Sequence, residues 1–81
     1  MTKQIELRAE VTGTVWKVLT PVGTRIEAED TLLVVESMKM EIPVTSERAG
    51  TVIEMKVAEG DAVQDGQVLA VVAFSLAPVE Y

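Results

Sequence analysis

The residues best suited to chemistry lie at mid-chain, in Glu36-Ser37-Met38-Lys39-Met40-Glu41-Ile42-Pro43. A lysine ε-amine on an accessible turn can be acylated by a second enzyme that wraps around it. Val34 and Val35 lead into this segment, while Ile42 and Val44 lead out of it. That order predicts a tight hairpin with Lys39 projecting from its tip. The flanking Met38 and Met40 are unbranched and polarizable, and a hairpin tip offers little core for them to fill. They suit soft, adaptable contact with other proteins. Glu36 and Glu41 flank the same hairpin and could be read as a paired-carboxylate acid/base site. Charges that keep an exposed hairpin soluble account for them more simply, so no catalytic residue is assigned.

Composition narrows the alternatives. The 81 residues include no His and no Cys. This removes the commonest general base, the usual zinc ligands and every Ser/His or Cys/His nucleophile pair, so neither a metal site nor an enzyme is expected. Thirteen acidic residues against seven basic ones give a net charge of -6. Such a surface repels phosphate backbones, which argues against nucleic acid as a partner. No uninterrupted apolar run comes near the length of a membrane span. The start Met1-Thr2-Lys3-Gln4-Ile5-Glu6 lacks the basic-then-apolar order of a secretory signal, so a cytoplasmic location is expected.

What must position the lysine is an internal repeat. Shifting the sequence by 37 residues lays Gly13-Thr14-Val15 on Gly50-Thr51-Val52, Gly23 on Gly60, Ile26 on Val63, Leu32 on Leu69 and Val34-Val35 on Val71-Val72, with no gap. Each half reads as one supersecondary unit, and two units are expected to pack about a pseudo-two-fold axis within a single domain spanning residues 1–81. Short β-branched runs between Gly and Pro positions read as strands of an all-β domain. Thr51–Val57 alternates Ile53, Met55 and Val57 with Glu54 and Lys56, the period of a half-buried strand. Thr24 and Glu27 have capping-box spacing, but the partner segment 61–72 contains Gly66 and ends strand-like, which argues against a helix at 24–42. Leu32, Val34, Val52, Val63, Leu69 and Val71 are the expected core contributors. Trp16, the only Trp, is expected to pack on a sheet face. Gly23 and Gly60 are equivalent turn positions.

Glu36-Ser37-Met38-Lys39-Met40-Glu41 resembles the attachment sequence of the biotinyl/lipoyl attachment domain family, whose biotinyl members carry Met-Lys-Met after a small residue. The resemblance covers about residues 5 to 73, including the Gly-Thr-Val elements, the Gly turns and the mid-chain lysine. It implies an all-β fold: a flattened antiparallel barrel or sandwich of two four-stranded sheets with internal pseudo-two-fold symmetry, a barrel-sandwich hybrid. It implies biotin as the cofactor, joined to Lys39 by a biotin protein ligase, with Met38 and Met40 as the flanking methionines. The domain would then be a non-catalytic biotin carboxyl carrier, moving an activated carboxyl group from a biotin carboxylase to a carboxyltransferase.

Lipoyl domains share this architecture but typically place Asp before the lysine and Ala after it, so the two methionines favour biotin. An unmodified interaction module using its edge strands would leave the motif unexplained. Three departures from the family stand out. Val11-Thr12-Gly13 replaces a Pro-Met-Pro-Gly start, 19–24 leaves no room for a thumb insertion, and no Pro/Ala-rich N-terminal linker is present. The chain therefore resembles a short free-standing carrier or a domain cut from a larger carboxylase subunit.

Overall fold

Alternating β-branched residues broken by turn-forming Gly and Pro leave little choice but short strands. The structure, a computed structural model, describes residues 2–75. In chain order its strands are β1 (Thr2–Arg8), β2 (Gly13–Val18), β3 (Arg25–Ile26), β4 (Thr31–Ser37), β5 (Met40–Thr45), β6 (Gly50–Met55), β7 (Ala62–Val63) and β8 (Val68–Ser75), with no helix among the described residues. They form two four-stranded antiparallel sheets of order β1-β8-β6-β3 and β5-β4-β2-β7. The barrel-sandwich expectation holds, and the 24–42 segment is β3, a turn, β4 and the hairpin. Asp30 Oδ2 accepts from Glu27 N at 2.8 Å, so these residues cap a loop where a helix start was conceivable.

The 37-residue offset carries β1, β2, β3 and β4 onto β5, β6, β7 and β8. Each sheet takes two strands from each half, so the halves are interleaved and do not pack as separate units. The reason is physical: β2 and β4 of one half pair with each other but have no facing layer until the other half supplies it. Equivalence extends to single hydrogen bonds. Gly23 N donates to Val52 O at 2.7 Å, and Gly60 N donates to Val15 O at 2.8 Å. Both glycines are left-handed, with φ of 96° and 93°.

The core repeats in the same way. Val15, Ile26, Leu32, Leu33 and Val35 are buried, as are their counterparts Val52, Val63, Leu69, Ala70 and Val72. Each such Val, Leu or Ile contributes about 1.5–3 kcal/mol by leaving water. Two packing expectations, Val34 in the core and Trp16 on a sheet face, need correction. Val34 is only half-buried, because the register shift between Thr31 and Leu33 puts Leu33 and Val35 inward and turns Val34 toward Lys17 and Pro43. Trp16 is 49% exposed, because a shift between Val15 and Lys17 makes it the extra residue of a bulge. The equivalent shift between Val52 and Glu54 exposes Ile53 and breaks the alternation expected along β6, which ends at Met55. Val71 is buried as expected, although its ladder partners Glu6 and Glu54 are exposed.

Candidate functional site

The lysine-bearing hairpin joins β4 to β5. Val34 pairs with Pro43, Val35 with Ile42, Glu36 with Glu41 and Ser37 with Met40, which leaves Met38 and Lys39 as a two-residue loop. Pro43 is tolerated because β5 is an edge strand. Both loop residues are left-handed, with φ of 51° at Met38 and 66° at Lys39. Two positive φ values in succession are what a type I′ turn requires, and Asn-Gly is the usual solution. Side chains with a Cβ cost about 1–2 kcal/mol each in that conformation. The flanking ladder holds the strain in place, and strain of this kind collects where function needs a fixed presentation.

That cost makes a stability prediction. Met38→Asn places a residue tolerant of left-handed backbone at the first loop position, and should stabilise the domain by about 0.5–1 kcal/mol in urea unfolding. An unchanged or lower midpoint would mean that the left-handed turn carries no such cost.

Exposure at the tip is extreme. Met38 is 92% and Met40 64% exposed, and Lys39 is exposed between them. The structure thus brings all three predicted site residues together at one solvent-facing tip. The groove of about 520 Å³ between β1 and β5, lined by Ile5, Leu7, Val35, Ile42 and Val44, lies elsewhere, and none of the three tip residues lines it. Glu36 and Glu41 face each other directly and are both exposed. Like charges directly opposed on a sheet destabilise it slightly. Among the described residues the ion pairs are Arg8 with Glu6 at 2.7 Å and Lys56 with Glu54 at 3.3 Å, so neither of these two carboxylates has a counter-ion there.

Three residues, Gly13, Ser37 and Thr12, support the hairpin through contacts that the sequence does not announce. The hairpin base is pressed against β2, where a Cβ at Gly13 would run into the Glu36 carbonyl oxygen. The half-buried Ser37 donates its hydroxyl to the Thr12 carbonyl at 2.9 Å. Thr12 Oγ1 in turn accepts from Asp65 N at 3.2 Å. Gly13 could have been found from its place in the repeat. The Ser37 contact spans 25 residues and leaves no local pattern.

An all-β domain of interleaved halves that holds one lysine on the outward tip of a strained hairpin belongs to the class of attachment domains, which offer a side chain for modification. The family model described as "Biotin-requiring enzyme" matches residues 1–72, and the chain belongs to this biotin/lipoyl attachment family. It is 45% identical over 60 residues to a biotin/lipoyl attachment protein of Bacillus subtilis, covering 74% of this chain and 82% of the relative. A biotinylated protein of Mycobacterium leprae is 41% identical over 68 residues, covering 84% of this chain and 96% of that protein. Among solved structures, the urea carboxylase of Kluyveromyces lactis superimposes with a TM-score of 0.82 at 34% identity, over 86% of this chain and 6% of the larger one. The chain is therefore a carrier domain of the biotin carboxyl carrier kind.

Proposed function

We propose that Lys39 is the residue that carries covalent biotin, and that the domain shuttles a carboxyl group between two partner active sites. The observation that supports this best is the position of Met38 and Lys39 in the two-residue tip with Met40 directly beside it, all three exposed. A biotin protein ligase would present biotin as an activated acyl group, and attack by the neutral Lys39 ε-amine would form the amide while releasing the activating group and one amine proton. When bound, biotin supplies the group that holds the carboxyl. The chain's own residues supply reach, orientation and effective concentration, so that one tethered group visits a biotin carboxylase and a carboxyltransferase without dissociating. Met38 and Met40 offer adaptable apolar contact to each enzyme in turn. The domain itself catalyses nothing in this reading.

Intact mass of the chain co-expressed with a biotin protein ligase tests the assignment. One biotinyl increment is expected, on the peptide that contains Lys39. A lipoyl increment in a host that supplies both ligases would place the chain on the other branch of its family.

A further inference from the structure

We propose that the Ser37 hydroxyl is a positioning group for the lysine-bearing turn, fixing Lys39 for the enzyme that modifies it. This rests on Lys39 being the acceptor. A turn of two left-handed residues with side chains is not self-sustaining, so something beyond the loop must hold it. Ser37 is the last residue of β4, immediately before that turn. Its hydroxyl donates to the Thr12 carbonyl at 2.9 Å, outside the strand ladder, and so ties the turn to the connection between β1 and β2.

That connection is itself anchored. Thr12 Oγ1 accepts from Asp65 N at 3.2 Å. Gly66 N, in the same turn as Asp65, donates to Ala9 O at 2.8 Å, and Ala9 N donates to Gln67 O at 2.9 Å. Arg8 Nη1 adds a bond to Gly66 O at 2.8 Å. The Ser37 hydroxyl therefore docks the lysine turn on a platform built from both halves of the domain.

The internal symmetry provides a control within one molecule. The close approach of β2 to β4 recurs at the opposite end, where a Cβ at Gly50 would run into the Ala73 carbonyl oxygen just as one at Gly13 would run into that of Glu36. A feature shared by both ends serves the fold. The hydroxyl tether is not shared. The 37-residue offset carries Ser37 to Phe74 and Thr12 to Ala49, neither of which has a side-chain hydrogen-bonding group. At that end the Phe74 ring lies under the Arg48 guanidinium, 4.7 Å from the ring centroid, in place of a hydroxyl contact. Among the described residues the linked Ser37 and Thr12 hydroxyl contacts stand at the lysine-hairpin end alone, so they answer to the hairpin more than to the fold.

The test uses the full chain with Ser37→Ala, Ser37→Thr and Lys39→Arg. Ser37→Ala should fold as the parent does by circular dichroism and urea unfolding. Amide hydrogen exchange at residues 38–40, followed by NMR, should become about three- to tenfold faster as one hydrogen bond is lost. The ligase KM for the chain should rise roughly threefold at unchanged kcat, because a smaller fraction of molecules presents the lysine correctly. Ser37→Thr keeps the hydroxyl and should restore both readouts. Parental exchange and parental KM in Ser37→Ala would overturn the proposal. Faster exchange with unchanged KM would do so too, since the hydroxyl would then stiffen the tip without presenting the lysine. A Thr variant as impaired as the Ala variant would equally remove the hydroxyl from the account. Labelling that persists in Lys39→Arg would instead defeat the acceptor assignment, whatever the Ser37 variants show.

Discussion

Lys39→Arg should abolish biotin incorporation completely while leaving the fold and its stability within about 0.5 kcal/mol of the parent. Arginine preserves the positive charge and the long stem, and Lys39 is exposed at a tip where packing is slight. The guanidinium stays protonated at any workable pH and offers no amine for amide formation. The other lysines lack the placement. Lys3 lies within β1, Lys17 lies over the Trp16 ring at 5.7 Å, and Lys56 pairs with Glu54 at 3.3 Å. Streptavidin blotting of the two proteins after incubation with ligase reads the result, and isoelectric focusing gives an independent check. Amide formation removes one positive charge, so the parent should move from a net of -6 to -7 and focus at lower pH. Label retained by the Arg variant would shift the acceptor to one of those other lysines and remove the hairpin from the functional account.

The repeat made most of this architecture legible before any coordinates, for a specific reason. Val15, Ile26, Leu32, Leu33 and Val35 each have a buried apolar partner 37 residues on, down to Leu33 and Ala70, so each half reports on the other. What the repeat could not reveal is which strands share a sheet. The two-residue β3 and β7 pair with β6 and β2 of the opposite half, and nothing in their own sequences encodes that exchange. Trp16 and Val34 depart from the sequence pattern because a bulge adds a residue and reverses the in-out phase beyond it, and a period-2 pattern has no mark for the insertion. The tip was located by motif and register, not by turn chemistry. Met38-Lys39 lacks the Asn or Gly that announces a type I′ loop, so its left-handed backbone became visible only in the structure.

Gly13→Ala and Gly50→Ala should lose similar stability, about 2–3 kcal/mol each, yet differ sharply in function. In both cases the new Cβ meets a carbonyl oxygen of the backbone, Glu36 for one and Ala73 for the other, with a valine Cγ1 beside it at 3.1 Å and 3.0 Å. A backbone oxygen cannot rotate away as a side-chain tip can, so the facing strand must move. Gly23→Ala is the contrast, since its Cβ would meet nothing within 4 Å and only its φ of +96° is unfavourable. It should cost about 1 kcal/mol. For a domain of this size, total stability is about 4–12 kcal/mol, so the two crowded variants are weakened but remain folded at low temperature. Function separates them because the strands they displace end differently. Gly13→Ala pushes on Glu36, one residue before Ser37 and three before Lys39, and so disturbs the hairpin proposed to be the ligase's target. Gly50→Ala pushes on β8 at the opposite end. With both variants folded, ligase kcat/KM should fall about tenfold for Gly13→Ala and stay within about twofold of the parent for Gly50→Ala, as small displacements of a reacting group are costly. Equal losses in the two variants would mean that the ligase responds to the domain's general stability, and that close packing of β2 against the hairpin base has no part in presenting the lysine.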